Sequence, residues 1–239
     1  MSPNPDAFLR HLRANGYHSR SNKHSNALAE AIVRDLLETC AVMSEAARRG
    51  RLVYELNFTI NAGTSDWNVD LVLGSPPPGL DLPEEAAVIV RTRPSTVQVA
   101  VEIKSIMTEH QKAMRNRKRD LEAHHEHVHR YSNRAVAAGV FVVNQSLAFK
   151  SPLRADVSEH KKPAALVEQC VLQMRSIGSR PGLEGAGLES KSVIVVDMDN
   201  QDLATTRYVT QPPAPQVGDP LHYDAFIQSV CAFYAHRFA

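Results

Sequence analysis

Two apolar runs between residues 67 and 104 constrain the fold of this chain most. Residues 69–74 read Val-Asp-Leu-Val-Leu-Gly, and residues 97–104 read Val-Gln-Val-Ala-Val-Glu-Ile-Lys. The second run alternates strictly between aliphatic residues and others, which is typical of a β-strand and puts Glu102 and Lys104 on one face. Burying an acid and a base at the end of a strand is costly. The pattern therefore indicates a site rather than a structural accident.

Asp70, inside the first run, completes this candidate site if the two strands are neighbours. Asp66 is the weaker alternative, because it lies in a Gly-Thr-Ser-Asp loop segment. Two carboxylates and a lysine that converge would form a site for a hard cation beside a cationic group. This is the chemistry that hydrolysis of a phosphodiester requires.

The acid on one strand followed by acid-x-Lys on the next resembles the PD-(D/E)xK nuclease superfamily, whose best-known members are restriction endonucleases. Asp70, Glu102 and Lys104 match its catalytic positions over roughly residues 54–144. Val69 departs from the pattern, since the family often has proline there, and the segment between the two acids is long. The resemblance also implies that a glutamate from an early helix, here Glu30, can join the metal ligands.

Composition is that of an ordinary globular protein, and it limits the alternatives. The chain has 239 residues, 43% hydrophobic, and a formal net charge of only +1, so any basic surface must be local. Three widely separated cysteines favour buried thiols in a reducing compartment over a disulfide framework. The sequence has neither a long apolar run nor a signal-peptide core, so we expect a cytoplasmic protein without a membrane span.

The order of the elements follows from periodicity. Residues 23–48 predict one helix of about six turns, and residues 52–60 predict the first strand. Residues 86–92 predict a further strand that pairs with the strand of Glu102. Residues 152–159 are expected to form a loop, and residues 178–187, which carry four glycines, a flexible connection or lid.

A long basic helix follows the candidate site from residue 108. Met114, Leu121 and Val128 recur every seven residues and give it an apolar stripe. Cationic side chains between them predict contacts with the phosphates of a nucleic acid, and the candidates are Lys112, Arg115, Lys118 and Arg119. Arg115 shares a side of the helix with Arg119 or Lys118, whereas Arg117 is expected to be solvated.

Four histidines at positions 124, 125, 127 and 129 suggest a zinc site, because His125 and His129 are four residues apart. No third ligand stands at a recognisable spacing, however, and the histidines interleave with glutamates. A solvated helix face is therefore the favoured interpretation of this cluster.

The remaining apolar segments complete one α/β domain over residues 1–239. Residues 136–143 predict a buried central strand, parallel to the strand of Glu102 through the helical crossover. We divide the chain into an N-terminal helical part (1–50), a catalytic core (51–145) and a C-terminal helix-strand-helix part (146–239). The expected architecture is a mixed central β-sheet flanked by helices, as in restriction endonucleases.

The predicted function is that of a metal-dependent endonuclease acting on double-stranded DNA, in a type II restriction or phage-defence context. Asp70, Glu102 and the backbone carbonyl of Ile103 would hold one or two Mg²⁺ ions, with Mn²⁺ as a substitute. A homodimer is compatible with this function. Two alternatives stay open, namely a recombination or repair nuclease of the same fold acting on branched or single-stranded DNA, and a non-catalytic DNA-binding protein.

Overall fold

A mixed seven-stranded sheet forms the centre of the protein, in a computed structural model that describes residues 5–61, 66–80, 89–108 and 110–239. For residues 110–112 only the backbone is described. The strands of this sheet are β1 (Val53–Asn61), β2 (Asp66–Gly74), β3 (Val90–Arg91), β4 (Val99–Ile106), β5 (Val136–Asn144), β8 (Ser190–Asp197) and β9 (Arg207–Tyr208). A separate two-stranded ribbon consists of β6 (Ala148–Lys150) and β7 (Val157–Glu159).

Helices cover both faces of this sheet. They are α1 (Asp6–Asn15), α2 (Lys23–Thr39), α3 (Ala41–Arg48), α4 (His110–Tyr131), α5 (Pro163–Ser176) and α6 (Tyr223–Phe238). One hydrophobic layer joins the sheet to α1, α2, α3 and α6, and a second joins it to α4 and α5. The prediction of an α/β fold with a mixed sheet flanked by helices is confirmed. None of the described helices has the length and hydrophobicity needed to cross a membrane.

Strand direction changes in the middle of the sheet, whose order is β3-β1-β2-β4-β5-β8-β9. β1, β2 and β4 pair in antiparallel fashion, whereas β4, β5 and β8 are parallel. Every residue of β5 is buried, as expected for a parallel strand covered by helices on both faces. The predicted crossover from β4 through α4 to β5 is thus confirmed.

Two predictions for the N-terminal half are wrong. Residues 23–48 form two helices instead of one, because the backbone leaves the helical conformation at Cys40. Cys40 forms a disulfide with Cys231 of α6, with Cα atoms 5.5 Å apart, so only Cys170 is a buried free thiol. The two bonded cysteines are 191 residues apart, and they meet because α6 packs against α2 and α3.

Two other segments also differ from prediction. Within 86–92, residues 86–88 lie outside the described part of the chain, and β3 pairs with β1 instead of with β4. Both edges of β4 are already occupied, by β2 and by β5. The expected loop at 152–159 contains β7, which pairs with β6.

Candidate active site

Asp70 lies where β2 and β4 separate. Their pairing runs from Leu73↔Val99 to Leu71↔Val101 and then ends. Asp70 is the next residue of β2, and its Oδ2 accepts a hydrogen bond from the backbone N–H of Ile103 at 2.8 Å. The carboxylate thus takes the place of the ladder hydrogen bond and is held beside the residues that end β4.

Asn57 of β1 lies opposite Asp70 and explains why the strands turn at this point. Its φ of 56° is in the left-handed region, which asparagine tolerates better than most residues. Leu56 and Leu71 pack into the layer of α2, whereas Phe58 and Val69 pack into the layer of α4. In each strand, the residues before and after the pair Asn57–Asp70 therefore pack into opposite hydrophobic layers.

The start of α2 holds this turn in place. The side chain of Asn57 accepts a hydrogen bond from Asn22 Nδ2 and donates one to Asn26 Oδ1, both at 3.0 Å. The buried hydroxyl of Ser25 donates to the carbonyl of Asn22 at 3.1 Å and lies close enough to Asp70 to favour its ionised form. Asn57 and Ser25 were missed by sequence reasoning, because neither belongs to a recognisable motif.

Glu30, the metal ligand that the resemblance suggested, is not brought to this point. Its carboxylate is exposed and lies 3.5 Å from Arg91 of β3. Ser25 is the residue of α2 that faces Asp70, and positions five apart on a helix do not share a side. Ser25, and not Glu30, is therefore the residue of α2 that lies at the candidate site.

Glu102 and Lys104 lie side by side at the end of β4, as the alternation predicts. The ammonium Nζ of Lys104 forms an ion pair with Oε1 of Glu102. The side chain of Glu102 is 3% exposed, and that of Lys104 is 21% exposed. Oε2 of Glu102 has no hydrogen-bond partner among the described residues, so one oxygen of a buried carboxylate remains available to a ligand.

Burial governs the protonation of the two acids, and the charge of Asp70 adds to its effect on Glu102. Burial, reinforced by the nearby charge of Asp70, raises the pKa of Glu102 to about 8 even though Lys104 opposes the shift. Burial also raises the pKa of Asp70, against the Ile103 N–H, Lys104 and Ser25. For Lys104 burial acts to lower the pKa, but Glu102, Asp70 and Asp120 raise it overall, which keeps the ammonium charged.

The residues present fit a hard divalent cation. Two buried carboxylates with raised pKa values, one of which has an unpaired oxygen, form a site that positive charge would stabilise. The N–H and C=O of one strand residue point to the same side of the strand. Because the N–H of Ile103 points to Asp70, its carbonyl does so as well, which is the donor predicted from the sequence.

His124 lies directly behind Glu102 and was not expected there. The ring is fully buried, its Nε2 lies 3.3 Å from the carbonyl of Ala100, and its Nδ1 lies 4.0 Å from Oε2 of Glu102. Burial lowers its pKa to about 3, so the ring is neutral. The spacing to Leu121 and Val128 could have identified His124 as part of the buried stripe.

The favoured interpretation of the other histidines, a solvated helix face, is also wrong. His125 is buried, His127 stacks on Trp67 with ring centroids 4.7 Å apart, and His129 Nε2 lies 3.1 Å from Glu189. No cluster of three or more histidine, cysteine or acidic residues suited to a metal was found in the described part of the chain. The zinc alternative therefore has no support from the positions of these rings.

The basic helix presents its cations on different sides. Arg115 and Arg119 are exposed, Lys118 is paired with Glu122 at 2.8 Å, and Lys112 falls among the residues whose side chains are not described. Arg117, which was expected to be merely solvated, is paired with Asp120 at 3.0 Å. The charge of Asp120 raises the pKa of Lys104, so Asp120 lies near the candidate site. Its partner Arg117 therefore lies on the side of α4 that faces the site.

Tyr17, from the connection between α1 and α2, lies at the same edge. Burial raises the pKa of its phenol, while the charge of Arg117 and the nearby hydroxyl of Ser105 oppose this shift. Ser105 is the residue after Lys104, so Tyr17 lies close to the end of β4. No sequence motif pointed to Tyr17.

In comparisons with protein-family models, with curated proteins and with solved structures, no match to this chain was found. The functional assignment therefore depends on the chemistry of the site itself.

Proposed function

We propose that this protein is a metal-dependent endonuclease that hydrolyses the phosphodiester bonds of double-stranded DNA, with a site like that of the PD-(D/E)xK nucleases. One observation supports this proposal above all others. The Asp70 carboxylate accepts a hydrogen bond from the N–H of Ile103. Ile103 is the residue between Glu102 and Lys104, which form a buried ion pair. The three residues that match the resemblance, Asp70, Glu102 and Lys104, thus lie together at one end of β4.

Each group has a distinct role. Asp70, Glu102 and the Ile103 carbonyl would hold Mg²⁺, which activates water and offsets charge at a phosphate. Lys104 keeps its positive charge and orients the attacking water or stabilises the negative charge that develops on the phosphate. Ser25 and the Ile103 N–H orient Asp70, and buried His124 lies behind Glu102.

Duplex DNA is the substrate class that the surrounding charges favour. Arg115 and Arg119 are exposed on α4, which leads away from the end of β4. Such cations contact phosphates without regard to sequence. A type II restriction or phage-defence enzyme remains the proposed context, and a repair or recombination nuclease is the alternative.

The first test is to incubate the purified protein with supercoiled plasmid and Mg²⁺ or Mn²⁺. We expect Glu102→Gln to lower the cleavage rate by on the order of 10²–10³, because it weakens the hold on the cation that offsets developing charge, and losing one such stabilising contribution has an effect of this size. Glu126→Gln, an exposed change on α4, is the matched control and should cleave normally. Asp70→Asn combined with Glu102→Gln should be hardly worse than either change alone, because the residues act as a unit.

Calcium should permit DNA binding with little or no hydrolysis, because it is larger and less able to organise an octahedral site. A panel of linear duplex, branched and single-stranded substrates separates the proposed function from a repair nuclease. Cleavage that persists after exhaustive chelation, or in Glu102→Gln at the native rate, contradicts the proposal. Metal-independent binding without any cleavage would identify a non-catalytic DNA-binding protein.

A further inference from the structure

The ribbon of β6 and β7 belongs to a hairpin segment, residues 147–162, that leaves the sheet beside the candidate site. Lys104 of β4 pairs in register with Phe141 of β5, and β5 ends three residues later at Asn144. The hairpin segment begins shortly after this end. It therefore projects from the same edge of the sheet that carries Glu102 and Lys104.

One asparagine joins the hairpin segment to the site. Nδ2 of Asn200 donates hydrogen bonds to the carbonyls of Lys150, at 2.8 Å, and Tyr17, at 3.1 Å. Its Oδ1 accepts the N–H of Tyr17 at 2.8 Å. The ring of buried Phe149 lies 6.1 Å from the ring of Tyr17, whose phenol lies near Ser105, the residue after Lys104. The base of the hairpin is thus fixed in position relative to Lys104.

The hairpin segment exposes apolar side chains at its base and towards its tip. Among the described residues eight large hydrophobic side chains are exposed, and three of them lie here: Leu147 (70%), Leu153 (46%) and Val157 (41%). Isolated exposed aliphatic residues need no explanation, but a concentration of them on one small projection marks an interaction surface.

Cationic residues accompany these apolar ones. Arg154, Lys161 and Lys162 are exposed, and they line a cleft of about 560 Å³ between the hairpin and the start of α5. Asp156 and Glu159 offset part of this charge, and the excess remains positive. The combination of cations and aliphatic side chains suits a duplex, whose phosphates attract the cations while thymine methyl groups offer apolar contacts.

We infer that the hairpin segment enters the major groove of duplex DNA beside the cleaved phosphate and contributes to sequence preference. This inference rests on the proposed function, which brings a duplex to that edge of the sheet. A two-stranded ribbon fits the major groove of B-DNA. Lys161 and Lys162 contact phosphates, and Leu153 and Val157 meet base edges.

Binding of fluorescent random-sequence duplexes, measured in Ca²⁺ at several salt concentrations, tests the two contributions. Lys161→Ala with Lys162→Ala should reduce the salt slope of log affinity by about 0.9 for each phosphate that is no longer neutralised, or about 1.8 for both. Arg48→Ala with Arg49→Ala is the matched control, since this exposed pair at the end of α3 precedes the opposite end of the sheet. The control should leave the slope unchanged.

Leu153→Ser with Val157→Ser tests the apolar contacts. The native protein should bind a duplex containing deoxyuridine in place of thymidine more weakly, by about fourfold for each methyl group that it buries. The double variant should bind both duplexes alike, with an unchanged salt slope. Leu172→Ser with Val217→Ser, which changes two exposed aliphatic residues elsewhere, should behave as the native protein.

The outcomes separate the two proposals. Hairpin variants that bind DNA as their controls do, in a protein that still cleaves, overturn the inference and leave the proposed function intact. Loss of binding on changing the hairpin, in a protein that never cleaves, supports the contact between the hairpin and the major groove but overturns the nuclease. A change of oligomeric state in Leu153→Ser with Val157→Ser, without any effect on DNA binding, shows that the hairpin meets another protein chain and overturns the inference.

Discussion

At the scale of a single residue, the burial of Glu102 conflicts with the ionisation that its proposed role requires. Its carboxyl is buried near the negative charge of Asp70, which disfavours ionisation, yet a cation ligand must be ionised. The pKa of about 8 means that ionising this buried carboxyl costs free energy when no cation is present, although Lys104 offsets part of that cost. Buried neutral His124 next to it provides no compensating positive charge.

The metal-free protein should therefore lose stability as the pH rises. The pKa of Glu102 is about 8 in the folded chain and 4.5 in the reference state, so the folded chain binds more protons between these values. The contribution of Glu102 to stability is full below about pH 4.5 and disappears as the pH passes about 8. Urea unfolding with chelator across this range measures the free energy of unfolding.

Two variants control this experiment. Glu102→Gln removes the titrating group and should flatten the dependence of unfolding free energy on pH. Glu126→Gln, which changes an exposed glutamate of α4, should follow the native curve. Parallel curves for Glu102→Gln and the native protein would exclude a raised pKa of Glu102.

At the scale of one element, α4 divides its functions among its sides. Leu121, His124 and Val128 face the sheet, and Arg117 stands near the site beside Asp120. Arg115 and Arg119, one turn apart, share an exposed side. Binding and chemistry can therefore be altered separately by changes in one helix.

Arg115→Ala with Arg119→Ala should weaken binding similarly for every DNA sequence. If both residues contact phosphates, the salt slope should fall by about 1.8, and cutting at saturating DNA should stay close to native. The exposed pair Arg48→Ala with Arg49→Ala is again the control. An unchanged slope in the α4 variant would mean that the DNA path lies elsewhere.

At the scale of the whole molecule, Glu189 connects elements from distant parts of the chain. Its fully buried carboxylate lies 3.0 Å from Arg180 and 2.9 Å from Arg237 of α6. The same carboxylate accepts the N–H of Ala137 in β5 at 2.8 Å and lies 3.1 Å from Nε2 of His129 in α4. The glycine-rich segment 178–187, expected to be a flexible connection, is thus anchored by buried Arg180.

Glu189→Ala should destabilise the protein by about 3–5 kcal/mol, because it leaves two buried arginines without their anion. Burial acts to raise the pKa of Glu189, but His129, the Ala137 N–H and Arg237 lower it overall. The stability that Glu189 provides is therefore present above pH 4.5 and lost as the pH falls through the folded pKa. Denaturant unfolding of Glu189→Ala against the exposed control Glu184→Ala measures the loss. A cost below about 1 kcal/mol would contradict this role.

Local pattern was enough to predict much of the fold and part of the candidate site. Alternation predicted β4 and the shared face of Glu102 and Lys104, and the helical period of Met114, Leu121 and Val128 predicted α4. These patterns depend on which side of a strand or helix is buried, which neighbouring residues determine. Asp70 was chosen because it lies in an apolar run, and its hydrogen bond to Ile103 agrees with that choice.

Only the tertiary structure decided which distant residues meet. Ser25 lies beside Asp70 although the two are 45 positions apart in sequence. Asn57 lies where β1 and β2 both change direction. Asn200 hydrogen-bonds to both Tyr17 and the hairpin segment. Single polar residues of this kind carry no periodic signal, because their role depends on the partner and not on their neighbours. The sequence alone determined most of the elements and the shared face of Glu102 and Lys104 at the end of β4, and packing determined what surrounds these two residues.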